Sequence, residues 1–316
     1  MVALNQRAYE LVGKIEENLE KLQVSCLEVA GGGKLLDFGV QAAGGHQSGI
    51  ELAEVCLSGL GTVQIEEGTL GDVEWPYVSV KTNHPLEACL FSQYAGWQIQ
   101  TDDYFAMGSG PMRAAYAGEP LFEKYPCDEK ANSVVGILES SRLPDGKVFE
   151  FLANKMGIEP KDIVLLVASV TSLAGNVQVV ARSLETAMHK LYELGFDLHR
   201  IHSGTGIAPL AAPATDDLAG IGKTNDAILY GGKVTFEMTG DDESIAKIGP
   251  KIPSVSSSSY GKPFVEVFHE FDDDFYKIDP MLFSPAEVTI HNEKTGSVHS
   301  FGSVNEDVLK KSFGLN

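Results

Sequence analysis

Apolar residues recur at helical spacing near the start of the chain. Ala8, Leu11, Val12, Ile15, Leu19 and Leu22, with charges between them, predict a helix over about residues 5–21. A strand is expected at 24–30. From there to about residue 118 the pattern is short alternating runs and glycine turns, with strands predicted at 34–40, 51–57, 62–65, 77–81, 97–100 and 103–107. The style then changes. Residues 133–138 read as a strand, 147–156 as a helix, 162–170 as a buried strand and 173–194 as one long helix. The last third returns to short strands at 233–238, 264–268, 286–291 and 297–301, and closes with a short helix. The expected fold is α+β, two mixed α/β domains with an active-site cleft between them. A strand-rich domain over 1–120 precedes an α+β domain over 121–316 that carries the long helix; the boundary is approximate and either domain is allowed to be discontinuous. No period of 20 to 50 residues repeats. The serine run at 254–260 reads as a solvated loop, with hydroxyls lining an anion pocket as the alternative.

On the long predicted helix, Leu173, Val177, Val180, Leu184, Met188 and Leu191 step by three or four residues and mark a core face. At roughly 100° per residue, Gln178, Arg182, Glu185 and His189 fall on one polar stripe opposite. Such a stripe is ordinarily a solvated face, its Arg-Glu pair worth about 0.3–0.5 kcal/mol. The other reading is a carboxylate held by an arginine for chemistry.

The 316 residues are 43% apolar, enough for one large or two medium cores. Apolar runs such as Ile163–Ala168 fall far short of the roughly 20 residues a membrane helix needs. The opening residues lack the apolar stretch of a secretory signal, so a cytoplasmic protein without a membrane partner is expected. Acidic residues outnumber basic ones 44 to 24, a formal net charge of -20, which disfavours nucleic acid as a partner. Cys26, Cys56, Cys89 and Cys127 form no Cys-x-x-Cys pair and are expected to be free thiols.

Several strings imitate known motifs and fail in detail. Gly220-Ile-Gly222-Lys223-Thr224 has Asp217 where a phosphate-binding loop needs its first glycine, and a carboxylate there would repel phosphate. The glycines at 31–33 and 108–110 lack the third glycine of a dinucleotide fingerprint, with Leu36 and Arg113 in its place. His46-Gln-Ser48-Gly49 is one position out of register for a nucleophile elbow. His199 and His202 are the only close histidine pair, with no zincin motif around them, so no metal is expected.

Six strings point to one family when taken together: Val29-Ala-Gly-Gly-Gly-Lys-Leu-Leu-Asp-Phe-Gly39, Ser92-Gln-Tyr-Ala-Gly-Trp97, Ala106-Met-Gly-Ser-Gly-Pro-Met-Arg-Ala114, Ala181-Arg-Ser-Leu-Glu185, His202-Ser-Gly-Thr-Gly-Ile-Ala-Pro209 and Phe275-Tyr-Lys-Ile-Asp-Pro-Met-Leu-Phe-Ser-Pro285. In family order and over nearly the whole chain, the sequence resembles the methenyltetrahydromethanopterin cyclohydrolases of methanogens, related archaea and some methylotrophic bacteria. The resemblance implies a cytosolic two-domain enzyme, a homotrimer with no metal or prosthetic group. It would hydrolyse the methenyl bridge of N5,N10-methenyltetrahydromethanopterin reversibly to the N5-formyl form in archaeal one-carbon metabolism and methanogenesis.

The resemblance places the catalytic pair on Arg182 and Glu185. Glu185 would take a proton from water and then deliver one to N10, while Arg182 orients it and stabilises the developing carbinol oxygen. Gln178 and His189 would support the pair from outside. The carrier's anionic tail would need local amides and cations, for which Gly31, Gly32, Gly33 and Lys34, and Ser109 with Arg113, are candidates. Tyr94, Trp97 and Phe283 are candidates for packing on the flat pterin. Two other readings stand beside this one: a non-catalytic pterin-carrier-binding protein, and a different tetrahydropterin one-carbon enzyme.

Overall fold

The computed structural model describes residues 2–127, 129–272 and 277–315. The chain forms two compact units, one from residues 1–61 and 87–178, the other from 62–86 and 179–316. In chain order the strands are β1 (Ser25–Glu28), β2 (Lys34–Asp37), β3 (Gly61–Leu70), β4 (Val73–Thr82), β5 (Trp97–Gln100) and β6 (Phe105–Ser109). They continue as β7 (Val134–Glu139), β8 (Ile163–Ala168), β9 (Ile201–Pro209), β10 (Lys233–Met238), β11 (Glu287–Asn292) and β12 (Val298–Gly302). The helices are α1 (Leu4–Glu16), α2 (Leu19–Leu22), α3 (His46–Cys56), α4 (Met112–Tyr116), α5 (Pro120–Lys124) and α6 (Gly146–Met156). After them come α7 (Leu173–Val180), α8 (Ser183–Glu193), α9 (Asp217–Gly231), α10 (Asp242–Ile248), α11 (Phe264–Glu270) and α12 (Glu306–Phe313). The expected α+β class holds, with one six-stranded mixed sheet in each unit.

In the first unit the sheet order is β1-β2-β8-β7-β6-β5, with β2, β8 and β7 parallel at its centre. Parallel strands are covered on both faces and so read as unbroken apolar runs. All six residues of β8 are buried. Leu36, Val164, Leu166, Val135 and Ile137 face one cluster with Val12, Ile15, Leu52 and Val55 of α1 and α3. Leu35, Leu165, Val167 and Leu138 face another with Phe149 and Leu152 of α6. The change of pattern near residue 120 ends no unit, because β6 and β7 lie on either side of it and pair in one sheet.

The strand expected at 51–57 is the helix α3. Leu52, Val55 and Cys56 are buried one turn apart, and the Ser48 hydroxyl accepts the Gly45 N–H at 2.7 Å to close the first turn. Gly49 lets this helix lie close to α7, since a Cβ there would stand 2.7–2.9 Å from Val177 and Ala174. Residues Leu86–Gln93 form a π-helix that the sequence pattern did not reveal.

In the second unit the order is β12-β11-β10-β9-β4-β3, with only β10 and β11 parallel among the registers described. Val78, Val80, Gly204, Gly206, Val234, Phe236, Val288 and Ile290 point to the buried face, and α8 packs against β4, β9 and β10. The opposite face carries Ser79, Lys81, Thr205, Lys233, Thr235 and Glu287 and forms an open groove of about 540 Å³. The strand expected at 264–268 is the helix α11, because Pro263 opens it, Phe264 and Val267 are buried one turn apart, and the Phe264 N–H bonds Asp226 at 2.8 Å. The serine run is solvated only in part, with Val255, Ser256 and Ser258 exposed. Ser254 and Ser257 are buried, and the hydroxyls of Ser254, Ser256 and Ser257 donate to Leu229 O, Lys251 O and the Asp279 carboxylate.

Candidate active site

The long helix expected at 173–194 is two helices, and the break falls at the candidate pair. Arg182 has φ -83° and ψ 4°, and its N–H bonds back to Val179 O at 3.0 Å, three residues away rather than four. Its own carbonyl accepts the Thr186 N–H at 2.9 Å and so starts α8. Valines at 177, 179 and 180 lower helix propensity just before the break. Beyond it, tertiary packing takes over. A Cβ at Gly204 would stand 2.7 Å from Leu184, and one at Gly206 would stand 2.5 Å from Ser183 Oγ and 2.9 Å from Leu184 N. The glycines of β9 thus let the first turn of α8 sit directly on the sheet. Of the predicted core face, Leu173 is exposed and the other five residues are buried.

Glu185 falls in the first turn of α8, where the partial positive charge of a helix N-terminus favours a carboxylate. It is 3% exposed and Arg182 5%. A solvated stripe is therefore excluded, and burying two charged groups costs far more than a surface pair returns. Of the other two members of the predicted stripe, only His189 shares α8 with Glu185, one turn on. Gln178 belongs to the first unit and donates to Glu139 Oε1 at 3.3 Å. His189 is half-buried and pairs with Glu193 one turn on, at 3.6 Å.

Phe283 follows the short 3₁₀ turn Pro280–Leu282 and is half-buried, its ring 5.9 Å from Phe264. Phe275 and Tyr276, the first residues of the same string, lie outside the described residues. His202 sits on β9, with Nδ1 2.5 Å from Glu293 Oε2.

The first-unit candidates separate into different roles. Gly31 and Gly32 adopt φ of 94° and 84° in the turn between β1 and β2, a conformation that favours glycine, while a Cβ at Gly33 would strike Phe149 at 2.3 Å. Lys34 is paired with Glu16 at 2.6 Å. Arg113 does not reach out for an anionic tail. It is fully buried, with Nε and Nη2 on the Glu119 carboxylate and Nη1 on Leu90 O at 2.8 Å and Ser92 O at 3.3 Å. Its guanidinium also lies 4.9 Å from the Tyr94 ring, so it pins the end of the π-helix. Ser109 is buried 3.4 Å from Cys56 Sγ, and Trp97 is buried and stacked on Tyr116 at 4.3 Å. Those placements make Arg113, Ser109 and Trp97 parts of the fold's interior, because sequence alone could not show their partners.

Two buried titratable groups escaped the sequence reading. Burial pushes the Lys190 ammonium on α8 down to about 8, with Asp279 opposing. Burial pushes the Asp226 carboxyl on α9 up to about 7 against bonds from Ser312 and Phe264.

A family model described as "Cyclohydrolase (MCH)" matches residues 3–313. The chain belongs to this cyclohydrolase family. It is 45% identical over 289 residues to a methenyltetrahydromethanopterin cyclohydrolase of Rhodopirellula baltica, covering 90% of this chain and 87% of the relative. Proteins of the same name from Methanospirillum hungatei and Methylobacillus flagellatus are 41% and 40% identical over 315 residues, each over 99% of this chain, and 99% and 96% of the relative. An exclusively archaeal setting is too narrow for this cyclohydrolase, since relatives of that name occur in bacteria. Among the described residues, no helix is long and apolar enough to cross a membrane.

Proposed function

We propose that this cyclohydrolase acts on N5,N10-methenyltetrahydromethanopterin, converting it reversibly to the N5-formyl form in one-carbon metabolism. The observation that carries the reading is the burial of Glu185 and Arg182 together at the start of α8. The methenyl carbon bridges two nitrogens as an amidinium cation, and a buried carboxylate in its surroundings is electrostatically matched to it.

Water adds to that carbon while Glu185 accepts its proton, giving a neutral tetrahedral carbinol. The C–N10 bond then breaks, Glu185 returns a proton to N10, and loss of the carbinol proton leaves the N5-formyl group. Base and acid roles fall to one carboxylate, and such catalysis is worth about 10²- to 10⁴-fold. Arg182 supplies N–H donors that orient the carboxylate and take up charge developing on the carbinol oxygen. The proton transfers ask for no metal or prosthetic group. Phe283 is retained as the aromatic contact for the pterin in this unit. A cytoplasmic homotrimer is the form proposed for the working enzyme.

The test is spectroscopic. Purified protein at catalytic concentration should bleach the near-ultraviolet band of the methenyl carrier, and a band that decays no faster than in buffer overturns the reading. Tight binding without bleaching would instead favour a carrier-binding protein.

A further inference from the structure

Lys190 stands in the last turns of α8, five residues after Glu185, and is 1% exposed. A lysine is almost never fully buried unless its ammonium is satisfied. Here Nζ donates to the main-chain carbonyl of Met281 and to the Ser256 hydroxyl at 3.3 Å. Both acceptors belong to a knot of chain far away in sequence. Ser257 Oγ donates to Asp279 Oδ2 at 2.6 Å, Asp279 Oδ1 accepts the Met281 N–H at 3.0 Å, and the Ser254 N–H bonds Pro285 O at 3.0 Å. The serine run and residues 279–285 therefore form one hydrogen-bonded body, and Lys190 is the α8 side chain that holds it by its backbone.

Stability alone does not account for a lysine here. A buried ammonium facing a carbonyl, a hydroxyl and the charge of Asp279 is generally less stabilising than a well-packed apolar side chain of similar volume. What the ammonium does that an apolar residue cannot is fix the Met281 carbonyl in direction as well as distance, two residues before Phe283. We propose that Lys190 is a positioning residue that holds residues 279–285 against α8, and so sets where Phe283 stands relative to Glu185. The proposal rests on the assignment of those two residues to carrier binding and proton transfer, and it adds a residue that does not touch the substrate.

Lys190→Met keeps the unbranched stem and removes the donors. Expected are at least about tenfold faster amide hydrogen exchange within residues 277–285, unchanged exchange in β9 and β10, and a KM for the methenyl carrier raised about tenfold with kcat within threefold. A purely structural role would lower melting temperature without moving KM selectively. Ser256→Ala removes one acceptor while leaving the lysine charge in place, and should move KM in the same direction by two- to threefold even if Lys190→Met fails to fold. Unchanged exchange in residues 277–285, or faster exchange with unchanged KM, overturns the proposal. Absence of turnover by the wild-type protein overturns instead the functional reading on which it rests.

Discussion

Gly206→Ala tests how the site is held in place. Gly206 lies in β9 and has no positive φ, so the substitution adds a steric load rather than backbone strain. The new Cβ would stand 2.5 Å from Ser183 Oγ, 2.9 Å from Leu184 N and 3.2 Å from Leu184 Cβ. Ser183 could turn its hydroxyl away, but the backbone nitrogen of Leu184 cannot turn, so the first turn of α8 must lift by roughly half an ångström or more to restore ordinary contact. Overpacking of this kind costs about 1–3 kcal/mol. Its effect on rate should be larger, because Glu185 is the next residue after Leu184 and a displacement near 1 Å can cost about 10²-fold. The expected result is a kcat/KM lowered roughly 10- to 100-fold in a protein that still folds. Steady-state bleaching of the methenyl band and a thermal melt measure the two effects separately. Gly13→Ala in α1, where a Cβ would meet nothing within 4 Å, is the control and should stabilise slightly. Gly206→Ala with kcat/KM within twofold of wild type would refute the view that β9 sets the position of α8.

Arg113→Met should destabilise the first unit by about 3–5 kcal/mol, since it leaves Glu119 without its buried partner and takes a donor from Leu90 O and Ser92 O. For a unit of about 150 residues that is a melting shift on the order of 10 °C, part of which Glu119→Gln in the same chain should restore; a small shift with a raised KM for the full carrier would show that the guanidinium meets ligand after all. Asp226→Asn addresses pH. The folded carboxyl titrates at about 7 against an ordinary 3.8, so the folded state holds the extra proton between these values, and stability falls as pH rises through that window. Asparagine removes this titration and keeps an acceptor for the Phe264 N–H, so the variant should melt above wild type at pH 8, by at most about 4 kcal/mol, with the advantage vanishing near pH 4. A difference independent of pH would contradict the assigned cause.

Much of the parallel core was legible because β7, β8 and α6 have patterns that only one structure satisfies: unbroken apolar runs for strands covered on both faces, and a single apolar stripe for the helix. Residues 51–57 and 264–268 misled because valine and phenylalanine in short alternating runs mimic strands, whereas their partners in space favour helices. Helix α9 was not expected, because Gly220 and Gly222 drew attention as an imitation of a phosphate-binding loop; Gly222 in fact clears room for Val265, at 2.3 Å from where its Cβ would be.

At the site, the spacing of Arg182 and Glu185 was visible and their burial was not. The helix break depends on β9, some 20 residues further on, and no local pattern encodes that contact. Arg113 was misassigned for a related reason. A basic residue beside glycines looks like an anion contact until Glu119 and the π-helix carbonyls are seen around it.

In the proposed mechanism the buried carboxylate of Glu185 moves the protons. Glu185→Gln keeps the shape and an acceptor oxygen but cannot accept a proton, so bleaching of the methenyl band under single-turnover conditions tests it most directly. The expected result is a rate lowered at least about 10²-fold, with carrier affinity and melting temperature little changed. A Glu185→Gln protein that bleaches the band at near wild-type rate would show that another group moves the protons.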